Sequence, residues 1–366
     1  NGQKIQNVSS DPPAPFNGQV WYNSTSGALK AKASIQVAAW STGGALNTSR
    51  AMFAGAGTTT AALAFGGETP GNDTESYNGS NWTEVNDLNT SRATLAGAGT
   101  QTAALGFGGY NPPGPFLSLT ETWNGTNWTE VNDLNTARRQ LAGAGTQTSA
   151  IAFGGTGPDI TGRTEEWNAN FGYGVWVTGG NMNTARNALA ASGYGTQTAS
   201  LIFGGTEPEA SPSDSTKTEL YNGTAWAELN DLNTARYNLG AAGTQTSALA
   251  FGGFNIPNSA ATESWNGTSW TEVNDLNTAR RFLAGVGATN TASLAFGGEG
   301  PGTKGETESW NGTSWSEVND LNTARSSLAG AGTSTAALAF GGYGPSTSNA
   351  TEEWNVSGGT QTISTS

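Results

Sequence analysis

The chain has 366 residues, of which only 12% are charged, with a formal net charge of −13 and neither cysteine nor histidine. Those absences exclude a metal site of the Cys/His kind and any Cys–His or Ser–His nucleophile pair. The acidic balance argues against a phosphate-backbone partner, which needs clustered Lys and Arg, and no apolar run approaches the ~18 residues of a membrane-spanning helix.

In chain order, residues 1–33 read as a region of their own. Asp11-Pro-Pro-Ala-Pro15 forces an extended arm, because proline fixes its own φ and restricts the residue before it. The stretch from Gly18 to Lys30 follows as a small hairpin. Residues 34–357 then repeat one unit seven times, and 358–366 remain as a C-terminal tail.

One copy of the unit, about 45 residues long, runs from Arg92 through Leu95-Ala-Gly-Ala-Gly-Thr-Gln-Thr-Ala-Ala-Leu-Gly-Phe-Gly-Gly109 and a variable loop to Thr120-Glu-Thr-Trp-Asn-Gly-Thr-Asn-Trp128 and Asn135. The arginine recurs as Arg50, Arg92, Arg138, Arg186, Arg236, Arg280 and Arg325. A Thr-Glu-x-Trp/Tyr-Asn segment begins at 74, 120, 164, 218, 262, 307 and 351. Helical periodicity is absent, and glycine punctuates short alternating or apolar runs, which reads as all-β. Four strands fit each unit: a Gly/Ala strand, an apolar strand ending in Gly-Gly, a strand carrying Glu and an aromatic, and a last strand carrying Trp. Asn-Gly between the last two, as at 78–79 and 124–125, predicts a tight hairpin. The third unit departs from this, with a longer turn from Asn168 to Trp176.

The double glycine after an apolar strand, the aromatic and the later tryptophan resemble the kelch repeat. That resemblance implies a seven-bladed β-propeller of four-stranded blades. The last-strand tryptophans are Trp40, Trp82, Trp128, Trp176, Trp226, Trp270 and Trp315. Trp40 precedes the first complete unit, and the last unit stops after Trp354-Asn355. The N-terminal strand around Trp40 is therefore expected to complete the last blade and close the ring.

The recurring Arg and Glu are read as structural pairs, since a catalytic site needs one constellation and not seven. The recurring aromatics are read as packing between blades. Asp87, Asp133, Asp231, Asp275 and Asp320 sit in Asn-Asp-Leu-Asn turns and are read as Asx caps, with weak divalent-cation binding by oxygen ligands as the alternative. No other cofactor is expected. The loops after the Gly-Gly pairs vary from six residues at 68–73 to twelve at 206–217. Several carry apolar groups stiffened by proline: Tyr110, Phe116 and Leu117, then Phe254 and Ile256, then Tyr343. These six are the candidate partner-binding residues.

The hairpin of residues 18–30 resembles segments of tailed-phage fibres, and the wording of the blades is similar to kelch-repeat proteins of marine phages. The resemblance implies a non-enzymatic virion protein, a tail fibre or capsid appendage. Its arm would dock to other virion proteins, and its propeller would face a host surface protein or glycan. The alternatives are a bacterial surface or secreted adhesin and, third, a glycosidase working with two carboxylates.

Overall fold

A computed structural model describes residues 5–13, 19–68, 71–158, 161–170, 172–192, 195–207 and 213–363, with side chains omitted at 31–37 and beyond 356. Among the described residues every regular element is a strand. Six sheets have four strands, one has six, and a two-stranded ribbon joins Glu299–Gly300 to Gly302–Thr303. The result is a propeller-like array of repeated four-stranded sheets.

Each sheet is an antiparallel meander. In one, the inner strand Ala96–Thr100 pairs with Ala103–Phe107, which pairs with Thr120–Trp123, which pairs with the outer strand Trp128–Glu130. The inner strand is Gly/Ala because the neighbouring sheet presses on it. A Cβ added to Gly143 would lie 2.5 Å from the Phe107 ring, and one on Gly97 would lie 2.7 Å from Phe65. The second strand packs against a sheet on either side, so its last four residues are all buried (Ala104, Leu105, Gly106 and Phe107), as an apolar run without alternation requires. The cores lie between sheets. One joins Leu63 and Phe65 of one sheet to Ala104, Trp123 and Trp128 of the next.

Tryptophan stitches these interfaces. The outer-strand Trp Nε1 donates to the threonine opening the third strand of the preceding sheet: Trp128 to Thr74 at 3.0 Å, Trp176 to Thr120 at 2.9 Å and Trp226 to Thr164 at 2.7 Å. The series continues with Trp270 to Thr218 and Trp315 to Thr262, both 2.9 Å. Each of these rings also meets a phenylalanine of the preceding sheet, as Trp128 meets Phe65 with centroids 4.9 Å apart.

The chain ends meet in the six-stranded sheet. Ala28–Thr42 pairs antiparallel with Thr351–Ile363, Trp40 standing opposite Trp354. Trp40 donates to Thr307 at 2.9 Å, and Trp82 of the first repeat donates to Thr351 of the last at 2.8 Å. The strand Ala28–Thr42 runs unbroken through the division drawn between 33 and 34. Residues 358–363 continue the last strand instead of forming a tail; 364–366 lie outside the described residues.

The hairpin of Val20–Asn23 with Ala31–Ala28 extends this sheet, and Gln6–Val8 adds a parallel edge strand. Residues 14–18 of the arm lie outside the described residues. Asp11 clasps the hairpin by accepting from Trp21 Nε1 at 3.0 Å, Asn23 Nδ2 at 2.7 Å and Lys30 Nζ at 2.7 Å. Hydrogen bonding to Lys30 first, then to Asn23 and Trp21, lowers its carboxyl pKa to about 2.

Candidate functional site

The repeated ionic residues lie inside the sheets. All seven arginines are at most 1% exposed, and each forms an ion pair with the glutamate of its own repeat. The pairs are Arg50–Glu75, Arg92–Glu121, Arg138–Glu165, Arg186–Glu219, Arg236–Glu263, Arg280–Glu308 and Arg325–Glu352, the last six at 2.8–3.2 Å. Burial drives the guanidinium pKa down at Arg92, Arg186, Arg236 and Arg280, and to about 10 at Arg138 and Arg325, against the opposing pull of the facing glutamate. Arg138 and Arg325 therefore stay charged at neutral pH.

Sequence reasoning missed the third member. Asn47, Asn89, Asn135, Asn183, Asn233, Asn277 and Asn322 each give a backbone N–H and a side-chain N–H to the second oxygen of that glutamate. The signal was present as an Asn three residues before every Arg. Each of these carboxylates thus accepts at least three N–H bonds, of the about four it can take.

The turn aspartates also have a local task. Asp87, Asp133, Asp231, Asp275 and Asp320 accept the amide of the threonine opening the third strand at 3.0–3.2 Å, and Asn181 does so in the third repeat at 3.4 Å. The Asn-Gly hairpins differ from a two-residue turn. The loop is four residues, such as 78–81 between Tyr77 and Trp82, with Asn78 Oδ1 accepting the amides of Ser80 and Asn81. Only the glycine takes a positive φ (90° at Gly79), whereas a type I′ turn needs one at both central residues.

Inner strands of all seven large sheets line one cavity of about 750 Å³. Among the described residues its walls are Gly, Ala, Ser, Thr, Val286 and Phe340, none with a titratable side chain. Near the start of each inner strand stands a collar that the sequence did not disclose. Met52, Thr94, Gln140, Ala188, Asn238, Phe282 and Ser327 all take a φ of 50–56°, a left-handed conformation that costs a non-glycine residue on the order of 1–2 kcal/mol. Their backbones link sheet to sheet. Thr94 N donates to Met52 O at 2.7 Å, Gln140 N to Thr94 O at 3.0 Å, Phe282 N to Asn238 O at 3.0 Å and Ser327 N to Phe282 O at 3.0 Å.

The candidate loop residues surround this collar unequally. Tyr110 and Phe116 bridge one another and are half-buried, with the Arg139 guanidinium 4.7 Å and 5.3 Å from their ring centroids. Arg139 adjoins the collar residue Gln140 and has no carboxylate partner among the described residues. Leu117 is half-buried, its N–H on Gly109 O at 2.9 Å and its carbonyl accepting from Arg138 N at 3.1 Å. Phe254 is likewise half-buried under Arg281, 4.9 Å away, which also touches the collar's Phe282 and pairs with Glu299 at 2.9 Å. Ile256 and Tyr343 stand free, 84% and 47% exposed. The six do not form one patch: Tyr110 with Phe116 and Phe254 sit in separate aromatic–arginine stacks.

No family model and no curated protein matches the chain. Among solved structures, that of YjhT is similar, with a TM-score of 0.56 at 13% identity over 74% of this chain and 97% of that one. At that identity the similarity is one of fold, an all-β array of repeated four-stranded sheets.

Proposed function

We propose that the sheets are the blades of a closed seven-bladed kelch-type propeller serving as a non-enzymatic recognition component of a virion. The tryptophan-to-threonine series supports closure, because it runs from Trp82 in the first repeat to Thr351 in the last and from Trp40 back to Thr307. The bacteriophage assignment rests on the resemblance of the hairpin and of the blade sequences to phage proteins. The arm and hairpin would dock to other virion proteins.

One observation carries the recognition reading: seven collar positions share one costly backbone conformation yet hold seven different side chains. A collar under purely conformational selection would converge on Gly or Asn, which tolerate that conformation best. Beside it, Arg139 lies across Tyr110 and Phe116. An aromatic face with an adjoining guanidinium suits a sugar ring and its hydroxyl or carboxylate groups. We therefore read the collar and its loops as the host-facing surface and a glycan as the ligand. The described cavity wall offers no acid or base, and the repeated glutamates are held by Arg and Asn, so neither supports a glycosidase centred on the cavity.

The test is to shorten loop 110–119 to the six-residue length of 68–73 and to measure particle yield and adsorption to host cells on the same variant. Adsorption should fall while yield and melting temperature hold. A fall in yield instead would mean that this face contacts neighbouring subunits. If neither changes, the loop has no part in recognition.

A further inference from the structure

The first and fourth repeats carry the same turn with opposite charge at one position. In the fourth, Lys217 immediately precedes the strand Thr218–Tyr221 and reaches two carboxylates, Glu228 at 2.6 Å and Asp231 at 3.3 Å. In the first, the residue immediately before Thr74–Tyr77 is Asp73, and the equivalents of the two carboxylates are Glu84 and Asp87. One oxygen from each of Asp73, Glu84 and Asp87 lies within 4.8 Å of the other two.

Other repeats avoid this crowding. Leu119 and Ala261 occupy the position in the second and fifth, and in the sixth Glu306 is held by Lys304 at 3.2 Å. The first repeat alone puts a third carboxylate there with no ammonium beside it among the described residues. Asp73 is only 7% exposed, and its carboxylate neither accepts a hydrogen bond nor forms an ion pair there. Asp87, by contrast, is oriented by Thr74 N at 3.1 Å and Asn72 Nδ2 at 3.3 Å.

A carboxylate with no hydrogen-bond or ion-pair partner among the described residues, in a residue only 7% exposed and beside two more, is costly unless a positive charge joins them. We infer that Asp73, Glu84 and Asp87 bind a divalent cation, Ca²⁺, in the place that the Lys217 ammonium fills in the fourth repeat. The donors are all oxygen, which suits a hard cation, and a mutual spacing of up to 4.8 Å matches ligands on opposite sides of an ion with Ca–O distances of about 2.3–2.6 Å. Glu84 is exposed, so solvent completes the shell. The bound ion ties the loop leading into Thr74 to the turn that follows Glu84, on the side of the sheet from which the collar projects.

The test uses the full chain, stripped of metal with a chelator and titrated with calcium chloride by calorimetry. One ion should bind per chain, with a dissociation constant on the order of 10⁻⁴ to 10⁻³ M. Asp73→Asn should weaken binding at least tenfold by removing one charge, and Asp73→Lys should abolish it. In chelator both variants should melt at or above the stripped wild-type chain, since each relieves the repulsion. The inference is overturned if the wild-type chain takes up no calcium, if Asp73→Asn binds it as tightly as wild type, or if Asp73→Asn melts below wild type in chelator.

Discussion

Arg138 and Gln140 are two residues apart, yet the chain treats them in opposite ways. At Arg138 both backbone and side chain repeat: every copy has a guanidinium, buried, on a glutamate capped by an asparagine. At Gln140 the backbone repeats, with φ of 53° here and 50–56° in the other copies, but the side chain never does. A buried charge tolerates no variation, because its loss strands the partner. A left-handed backbone favours Gly or Asn and makes any other side chain modestly costly, so the variety there is not set by the backbone. Repetition of a side chain therefore marks what holds the sheets, and variation on a repeated backbone is what the proposed recognition reading rests on.

The interior should break most severely where the two chain ends pair. Deleting residues 1–45 removes the strand opposite Thr351–Ile363 together with Trp40, leaving a long bare sheet edge. Aggregation or a large fall in melting temperature is expected on thermal scanning, and a deletion variant that melts like the full chain would refute the pairing.

Next in size is Arg138→Ala, which leaves Glu165 buried with Asn135 alone. A destabilisation of about 3–5 kcal/mol is expected, measured by denaturant unfolding, with adsorption of the surviving folded protein unchanged. Retained stability with lost adsorption would move Arg138 from the interior to the recognition surface.

A smaller effect tests two seams that differ from the rest. Tyr77 and Tyr221 replace tryptophan in the third strand, and their hydroxyls donate to Glu353 and Glu166 of the preceding repeat. Where they do so, Gly43 and Gly179 stand where other repeats have Val or Leu; a Cβ on either would lie 3.2 Å or less from that hydroxyl. Tyr77→Phe should cost about 1–3 kcal/mol, since the Glu353 carboxylate loses its donor. Burial, reinforced by the glutamate, raises both phenol pKa values well above the usual 10.0. A raised folded-state pKa adds stability that is complete below the unfolded value and lost as pH climbs past it. Stability of the wild-type chain should thus decline above pH about 10, and less steeply in the Tyr77→Phe, Tyr221→Phe double variant. Equal slopes would show that the two phenols are not the groups responsible.

How much of this was legible follows from the same contrast. The four-strand unit and the spacing of Arg, Glu and Trp could be read because packing between sheets imposes the same residue seven times. The Asn partners of the glutamates recur as strictly, but five of the seven lie within Asn-Asp-Leu-Asn and read as turn residues. Tyr, Glu and Gly at the two odd seams lie in three separate segments, so only the folded contact relates them. The collar gave no signal, because Met, Thr, Gln, Ala, Asn, Phe and Ser share no propensity for a left-handed backbone. The loop aromatics stand among the candidate partner-binding residues, whereas Arg139 and Arg281 lie over Tyr110, Phe116 and Phe254; a cation following the repeated Arg in just two copies was the available clue.

The smallest expected effect is at the collar itself. Gln140 is exposed, and its amide donates to Thr94 O, an interaction that glycine preserves. Gln140→Gly removes the Cβ that makes a left-handed residue costly while adding conformational freedom to the unfolded chain. These terms oppose one another, so the melting temperature should shift by no more than the equivalent of about 1 kcal/mol, in the stabilising direction if relief of strain dominates. Adsorption should nevertheless weaken, because the side chain beside the Arg139 stack is gone. Gln140→Asn supplies the control: it keeps an amide and tolerates the same φ, so it should hold stability and retain more adsorption than glycine. If glycine and asparagine adsorb equally at the wild-type level, side-chain variety at Gln140 serves no ligand. If glycine instead lowers stability by several kcal/mol, the collar belongs with Arg138 among the residues that hold the sheets together.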